Sequence, residues 1–163
     1  MGKTIQQIIN LSGIVILLTV FSLCSSDHNG QQEAKTLLTS ATISKEMPWS
    51  ERMVHSVIKR APEAWMNDYQ KKPKWNYTHG LLFSAILDVS DTYGKDSYYT
   101  YVKEYGDLMI DEEGSIRTYD IANFNIDHVA PGPMLFKLHD KTHDDKYQKA
   151  IQLLKRQLDW QPQ

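Results

Sequence analysis

Asp127 and His128 stand side by side in the stretch Asn125-Ile126-Asp127-His128-Val129-Ala130-Pro131-Gly132-Pro133, just before an apolar run of Met134, Leu135, Phe136 and Leu138. Polar side chains at the mouth of a helix, on a loop that packing holds still, are placed to meet a ligand. The plain alternative is that Asp127 caps the next helix or anchors the loop. A second cluster, Trp75-Asn76-Tyr77-Thr78-His79-Gly80, sets three ring side chains at the start of another apolar segment. Trp75, Tyr77 and His79 there are either aromatic packing or a ring-stacking wall with hydrogen-bonding tips.

Metal and disulfide chemistry find little support. Cys24 is the single cysteine, so neither a disulfide framework nor a cysteine-rich zinc site forms within one chain. His139 and His143 are four apart, but Asp140-Lys141-Thr142 between them reads as a helix end. No metal site and no cofactor is expected.

The elements that must position these groups are helices. Met53, Val54, Val57 and Ile58 predict a helix over 49–60, with Ser50 as its N-cap and Pro62 ending it and opening a short turn with Ala64 and Trp65. Lys59, Arg60, Lys71, Lys72 and Lys74 read as solvated charges. Leu81, Leu82, Ala85, Ile86 and Val89 make an amphipathic helix that Thr78 would cap and Asp91 and Gly94 bound. The clearest helix runs over 96–110, where Tyr98, Val102, Tyr105 and Met109 form one stripe that Tyr101 and Leu108 widen. After a turn at Asp111, Glu112 and Gly114, residues 115–119 read as extended. Short helix 133–139 and amphipathic helix 144–158 close the chain, the latter with Tyr147, Ile151, Leu154 and Leu158 on one face.

A weak repeat joins these pieces. Leu81-Leu82-Phe83 resembles Met134-Leu135-Phe136, and the Tyr99 region resembles the Tyr147 region. No run of β-branched residues at strand spacing occurs. The reading is all-α, a row of helical hairpins that must bury their inner faces against further copies or close into a ring. A closed toroid needs more hairpins than this length holds, so the chain is expected to be the opening part of something larger.

Composition fits one domain of 163 residues, 41% apolar and 23% charged. A formal charge of -2 with interspersed signs argues against a nucleic-acid binder. Residues 1–23 read as an export signal: Lys3 supplies the positive start, and the apolar core from Ile8 to Phe21 is short beside a membrane span of roughly 20 residues. Cys24 after Phe21-Ser22-Leu23 resembles the lipidated cysteine of a bacterial lipoprotein, with Leu23 standing where a small residue is usual. Cleavage after Ser26 and an uncleaved anchor are the other routes. The expectation is an exported protein, periplasmic or an outer-membrane lipoprotein of a Gram-negative bacterium, with a lipid anchor at Cys24. Residues 24–48 are polar and read as a tether, with Leu37 and Leu38 packing locally.

Taken together, Trp75 to Gly80, the run from Tyr98 to Asp111, the stretch Asn125 to Gly132 and Leu135-Phe136 resemble the N-terminal portion of unsaturated glucuronyl or rhamnogalacturonyl hydrolases, glycoside hydrolase families 88 and 105. The likeness runs from about Met53 to the end, several motifs in the right order, and the N-terminal part of the implied hydrolase domain is placed at 49–163. It implies an (α/α)6 barrel, incomplete in this chain. It also implies removal of a 4,5-unsaturated uronic acid from the non-reducing end of oligosaccharides made by polysaccharide lyases, by hydration of the vinyl ether. The unsaturated oligosaccharide is then the expected partner, without nucleic acid. Carried onto this chain, Asp127 is a supporting carboxylate, and Trp75, Tyr77, His79, Asn125 and His128 are substrate-binding. The family's main acid and base lies in a later motif beyond Gln163, so the chain by itself is expected to be inactive. The alternative is a non-enzymatic helical module that binds glycan or protein.

Overall fold

The computed structural model describes residues 32–33, 36–40 and 42–160. The chain divides at Leu37 and Leu38 into two units. Of the first, residues 32–33 and 36–37 are described and helical. Residues 1–31, with the expected export signal and Cys24, lie outside the described residues.

Among the described residues of the second unit, beyond helical residues 38–40, stand five α-helices: α1 (Trp49–Arg60), α2 (Tyr77–Tyr93), α3 (Asp96–Met109), α4 (Gly132–Thr142) and α5 (Asp145–Trp160). Three 3-10 turns join them, Ala64–Tyr69, Ile121–Asn123 and Ile126–His128. Among the described residues there is no strand; the predicted extended segment supplies only an isolated bridge between Ile110 and Ile116. Helices α2 and α3 form one hairpin and α4 and α5 a second, and α2 packs on α4. The described residues are thus part of an (α/α) arrangement, with α1 against α2.

Both hairpins turn the same way. Gly94 ends α2 in the left-handed conformation at φ 61°, and His143 ends α4 likewise at φ 54°. Lys95 and Asp144 complete the two short links. The hairpin repeat therefore exists in the backbone, but its side chains diverge: Phe83 is fully buried, whereas Phe136 is half-exposed. Phe83 packs against Tyr101 and Tyr105 of the facing helix, while Phe136 faces an open groove.

The α3 stripe behaves as its spacing predicts, since Tyr98, Tyr101, Val102, Tyr105 and Met109 are all buried. Two caps differ from expectation. Pro48 precedes α1 and supplies no side-chain cap, while Ser50 lies inside the helix with its hydroxyl against Tyr93 Oη. At α2 the cap is Asn76, whose Oδ1 accepts from the His79 amide at 3.0 Å; Thr78 is inside the helix and donates to the same oxygen. An amide oxygen at the N-cap satisfies an amide that the helix cannot. Helices α4 and α5 each extend beyond the apolar runs that announce them, and α4 continues through Asp140, Lys141 and Thr142 to end at His143. Leu38 is half-buried against the core, whereas Leu37 is exposed.

Candidate functional site

Residues 118–131 form a loop between α3 and α4, and it is held at several points. Thr118 sits at φ 64° and its Oγ1 accepts from the Trp75 amide at 3.0 Å. Tyr119 Oη donates to Oε1 of the fully buried Gln157 at 2.8 Å. Asp120 accepts from the Ala122 amide and so caps the first 3-10 turn, and Phe124 reverses the chain at φ 48°. Asn125 Oδ1 accepts from the Asp127 amide at 3.0 Å, capping the second turn. Val129 and Ala130 both donate to the Ile126 carbonyl. Pro131 then lies against Gly80 of α2. The loop is therefore hydrogen-bonded along its length and tied to two helices.

On this frame the Asp127 side chain is exposed, and among the described residues its carboxylate makes no hydrogen bond or ion pair. It does not cap α4, which begins five residues later at Gly132. Next to it His128 turns inward: its ring lies 6.3 Å from that of Tyr119, and its buried Nδ1 has no hydrogen-bond partner among the described residues. Asn125 spends its side-chain oxygen on the turn.

The aromatic cluster divides. Tyr77, the first residue of α2, is 50% exposed. Trp75 and His79 are not part of an open wall, because both are 0% exposed. The Trp75 indole lies nearly parallel to the Tyr105 ring at 6.1 Å, and the His79 ring lies parallel to Tyr105 at 4.9 Å. Phe83 meets both His79 and Tyr105 edge-on. Four apolar or amphipathic rings so arranged gain more from mutual burial than from standing in water. The indole Nε1 finds its partner in the His128 carbonyl, 2.8 Å away.

A polar network surrounds His79. Its Nδ1 is 2.5 Å from Asn76 Oδ1 and its Nε2 is 3.2 Å from the Trp65 carbonyl. Both neighbours are acceptors, so a neutral ring satisfies one of them. Gln70 Nε2 donates to Asp68 Oδ2, Thr78 Oγ1 lies 3.0 Å from the same oxygen, and Asp68 and Tyr69 both lie at positive φ. This Asp68 corner is a feature that the apolar spacing did not mark; Asn67-Asp68, a pair tolerant of the left-handed region, is the signal that could have marked it.

Burial pulls the His79 pKa below its usual 6.5, and the Trp65 carbonyl and Asp68 offset only part of that. Burial acts the same way on His55, opposed by Glu51. A histidine depressed in the folded state contributes nothing above the unfolded value, where both forms are neutral. On acidification the unfolded chain takes a proton that the folded one resists, so stability falls below pH 6.5 and goes on falling to the folded pKa. Melting temperature should therefore drop between about pH 7 and pH 5, with a shallower slope in His79→Gln. Equal slopes in the two proteins would remove His79 from this account.

Beside the Asp127 loop an open groove of about 430 Å³ runs between α4 and α5, lined by Ile126, Val129, Pro133, Phe136, Leu154 and Leu158 with Lys155 at its margin. Its walls are apolar apart from Lys155, so it offers few hydrogen bonds to a sugar acid. Among the described residues no cluster of three His, Cys, Asp or Glu side chains could hold a metal ion.

Comparison with known proteins agrees with this arrangement. A glycoside hydrolase of family 105 from C. acetobutylicum ATCC 824 is similar in structure, with a TM-score of 0.60 and 26% sequence identity over 69% of this chain. The chain spans 29% of the length of that protein. The sequence profile of Glycosyl Hydrolase Family 88 matches residues 49–163, which takes in every described helix from α1 to α5 and the Asp127 loop. The chain belongs to glycosyl hydrolase family 88.

Proposed function

We propose that this chain provides the Asp127 side of a site that hydrolyses glycans ending in a 4,5-unsaturated uronic acid, the product left by polysaccharide lyases. One observation carries the reading: an exposed carboxylate, unpaired among the described residues, stands on a loop that is held by hydrogen bonds at several points. Holding a charged group still without neutralising it is what a carboxylate needs in order to receive ligand hydroxyls.

The substrate is a vinyl ether. A carboxylic acid protonates C4, water adds at C5, and the resulting hemiketal opens to expel the neighbouring sugar. The acid must keep its proton near working pH, and a second carboxylate close by raises its pKa. Asp127 takes that second role, orienting sugar hydroxyls or water, with the exposed Tyr77 as a further candidate for contact with the sugar. Export, with a lipid anchor at Cys24, suits a protein that meets such oligosaccharides outside the cytoplasm. The usual carboxylate spacing of glycosidases is not a guide to this hydration chemistry.

Titration with an unsaturated glucuronyl disaccharide tests the assignment. Asp127→Asn should weaken binding by roughly tenfold to a hundredfold, the worth of hydrogen bonds to a charged acceptor. Turnover followed by loss of the ultraviolet absorbance of the double bond should be negligible for the 163-residue chain. Unchanged affinity in Asp127→Asn would remove Asp127 from the site and leave the reading of a helical binding module.

A further inference from the structure

We infer that Trp75 is the positioning residue of the Asp127 loop, an inference that rests on reading Asp127 as the site carboxylate. Trp75 grips the loop at both ends. Its backbone amide donates to Thr118 Oγ1 where the loop begins, and its indole Nε1 donates to the carbonyl of His128, the residue after Asp127. One side chain and its own amide thus close a loop whose ends would otherwise lose entropy to stay together. The His128 carbonyl belongs to the same 3-10 turn that carries Asp127, so fixing its plane fixes the direction in which the Asp127 side chain leaves the backbone.

The grip is transmitted to a rigid base. Trp75 is completely buried and rests on Tyr105, which rests on His79, and Tyr105 Oη donates to the Lys74 carbonyl just before Trp75. A tryptophan used as an open sugar platform shows a ring face to solvent. This one shows none, and its only polar atom is spent on the loop. Its contribution to the site is therefore made through the main chain of residue 128.

Trp75→Phe keeps a stacking ring but deletes the indole N–H together with part of the buried bicycle, so a core variant must be read beside it. Backbone amide exchange in the full chain reads the result, with Phe83→Leu as a core variant that does not touch the loop. In Trp75→Phe the amides of Val129 and Ala130 should exchange about tenfold faster relative to the slowest amides of α3, the worth of one hydrogen bond. In Phe83→Leu the loop and α3 should change by a common factor. A common factor in Trp75→Phe as well would reduce the residue to ordinary core and overturn the inference. Thr118→Val, which removes the other anchor and leaves the core intact, should also raise loop exchange selectively; if both variants leave it unraised, the inference fails. Affinity for the unsaturated disaccharide should fall about tenfold in Trp75→Phe and hold in Phe83→Leu. Should Asp127→Asn leave affinity unchanged, the functional reading fails, and the exchange result still decides whether Trp75 holds the loop.

Discussion

Tyr105→Ala should cost about 4 kcal/mol of folding stability, on the scale of the entire stability of a marginal domain. Tyr105 is 1% exposed and lies between Trp75 and His79, with Phe83 at its edge. Truncation removes the middle of a three-ring stack, and neither outer ring can fill the gap. Trp75 is fixed by its bonds to Thr118 and His128, and His79 is fixed by Asn76 and Trp65. A cavity whose walls cannot collapse carries the upper range of such costs. Tyr105→Phe separates packing from polarity. It keeps the ring and loses the hydroxyl that donates to the Lys74 carbonyl at 2.8 Å, for about 1 kcal/mol. Denaturant unfolding of both variants checks the pair. A loss under about 1 kcal/mol in Tyr105→Ala would mean that the stack relaxes freely, against the anchoring described above.

How much of this was legible in the sequence depended on whether a residue lay inside a periodic segment. The α3 stripe was readable because Tyr98, Val102, Tyr105 and Met109 repeat at helical spacing, and a helix with one apolar stripe has one way to bury it. Asp127 was readable as a candidate from its neighbours, and its exposure agrees with a residue placed to meet a ligand. Trp75 and His79 were not readable. Trp75 precedes the helix, where no period assigns a face. His79 occupies its first turn, where only the cap residue Asn76 and the facing ring of Tyr105 settle its direction. The inward turn of His128 was equally hidden, because adjacent residues in a 3-10 turn point different ways and nothing local says which is inside. Long-range partners decided these three positions, and long-range partners are what one-dimensional spacing omits.

The two glycines of α2 show the same division and give the second large prediction. Gly80 is a helical residue, and by propensity alone replacing it with alanine should stabilise the helix by about 1 kcal/mol. The structure reverses the sign. A Cβ at Gly80 would stand 2.3 Å from Pro131 Cα, 2.7 Å from Pro131 Cβ and 2.9 Å from Pro131 N. None of these atoms belongs to a flexible side-chain end, so helix and loop must part by about an ångström. Pro131 directly precedes α4 and lies three residues after the turn of Asp127, so the displacement loosens the α2–α4 packing and the candidate site together. Gly80→Ala should cost about 3 kcal/mol net, the upper range for overpacking, and should speed amide exchange across residues 125–131. Gly94 is the control. It needs its positive φ of 61°, yet a Cβ there meets nothing within 4 Å. Gly94→Ala should cost only about 1 kcal/mol, the conformational term, and leave the loop's exchange relative to α3 unchanged. If Gly80→Ala instead proved neutral or stabilising in denaturant unfolding, the close contact between α2 and Pro131 would not exist in solution. The loop would then have lost one of the supports that set the direction of Asp127.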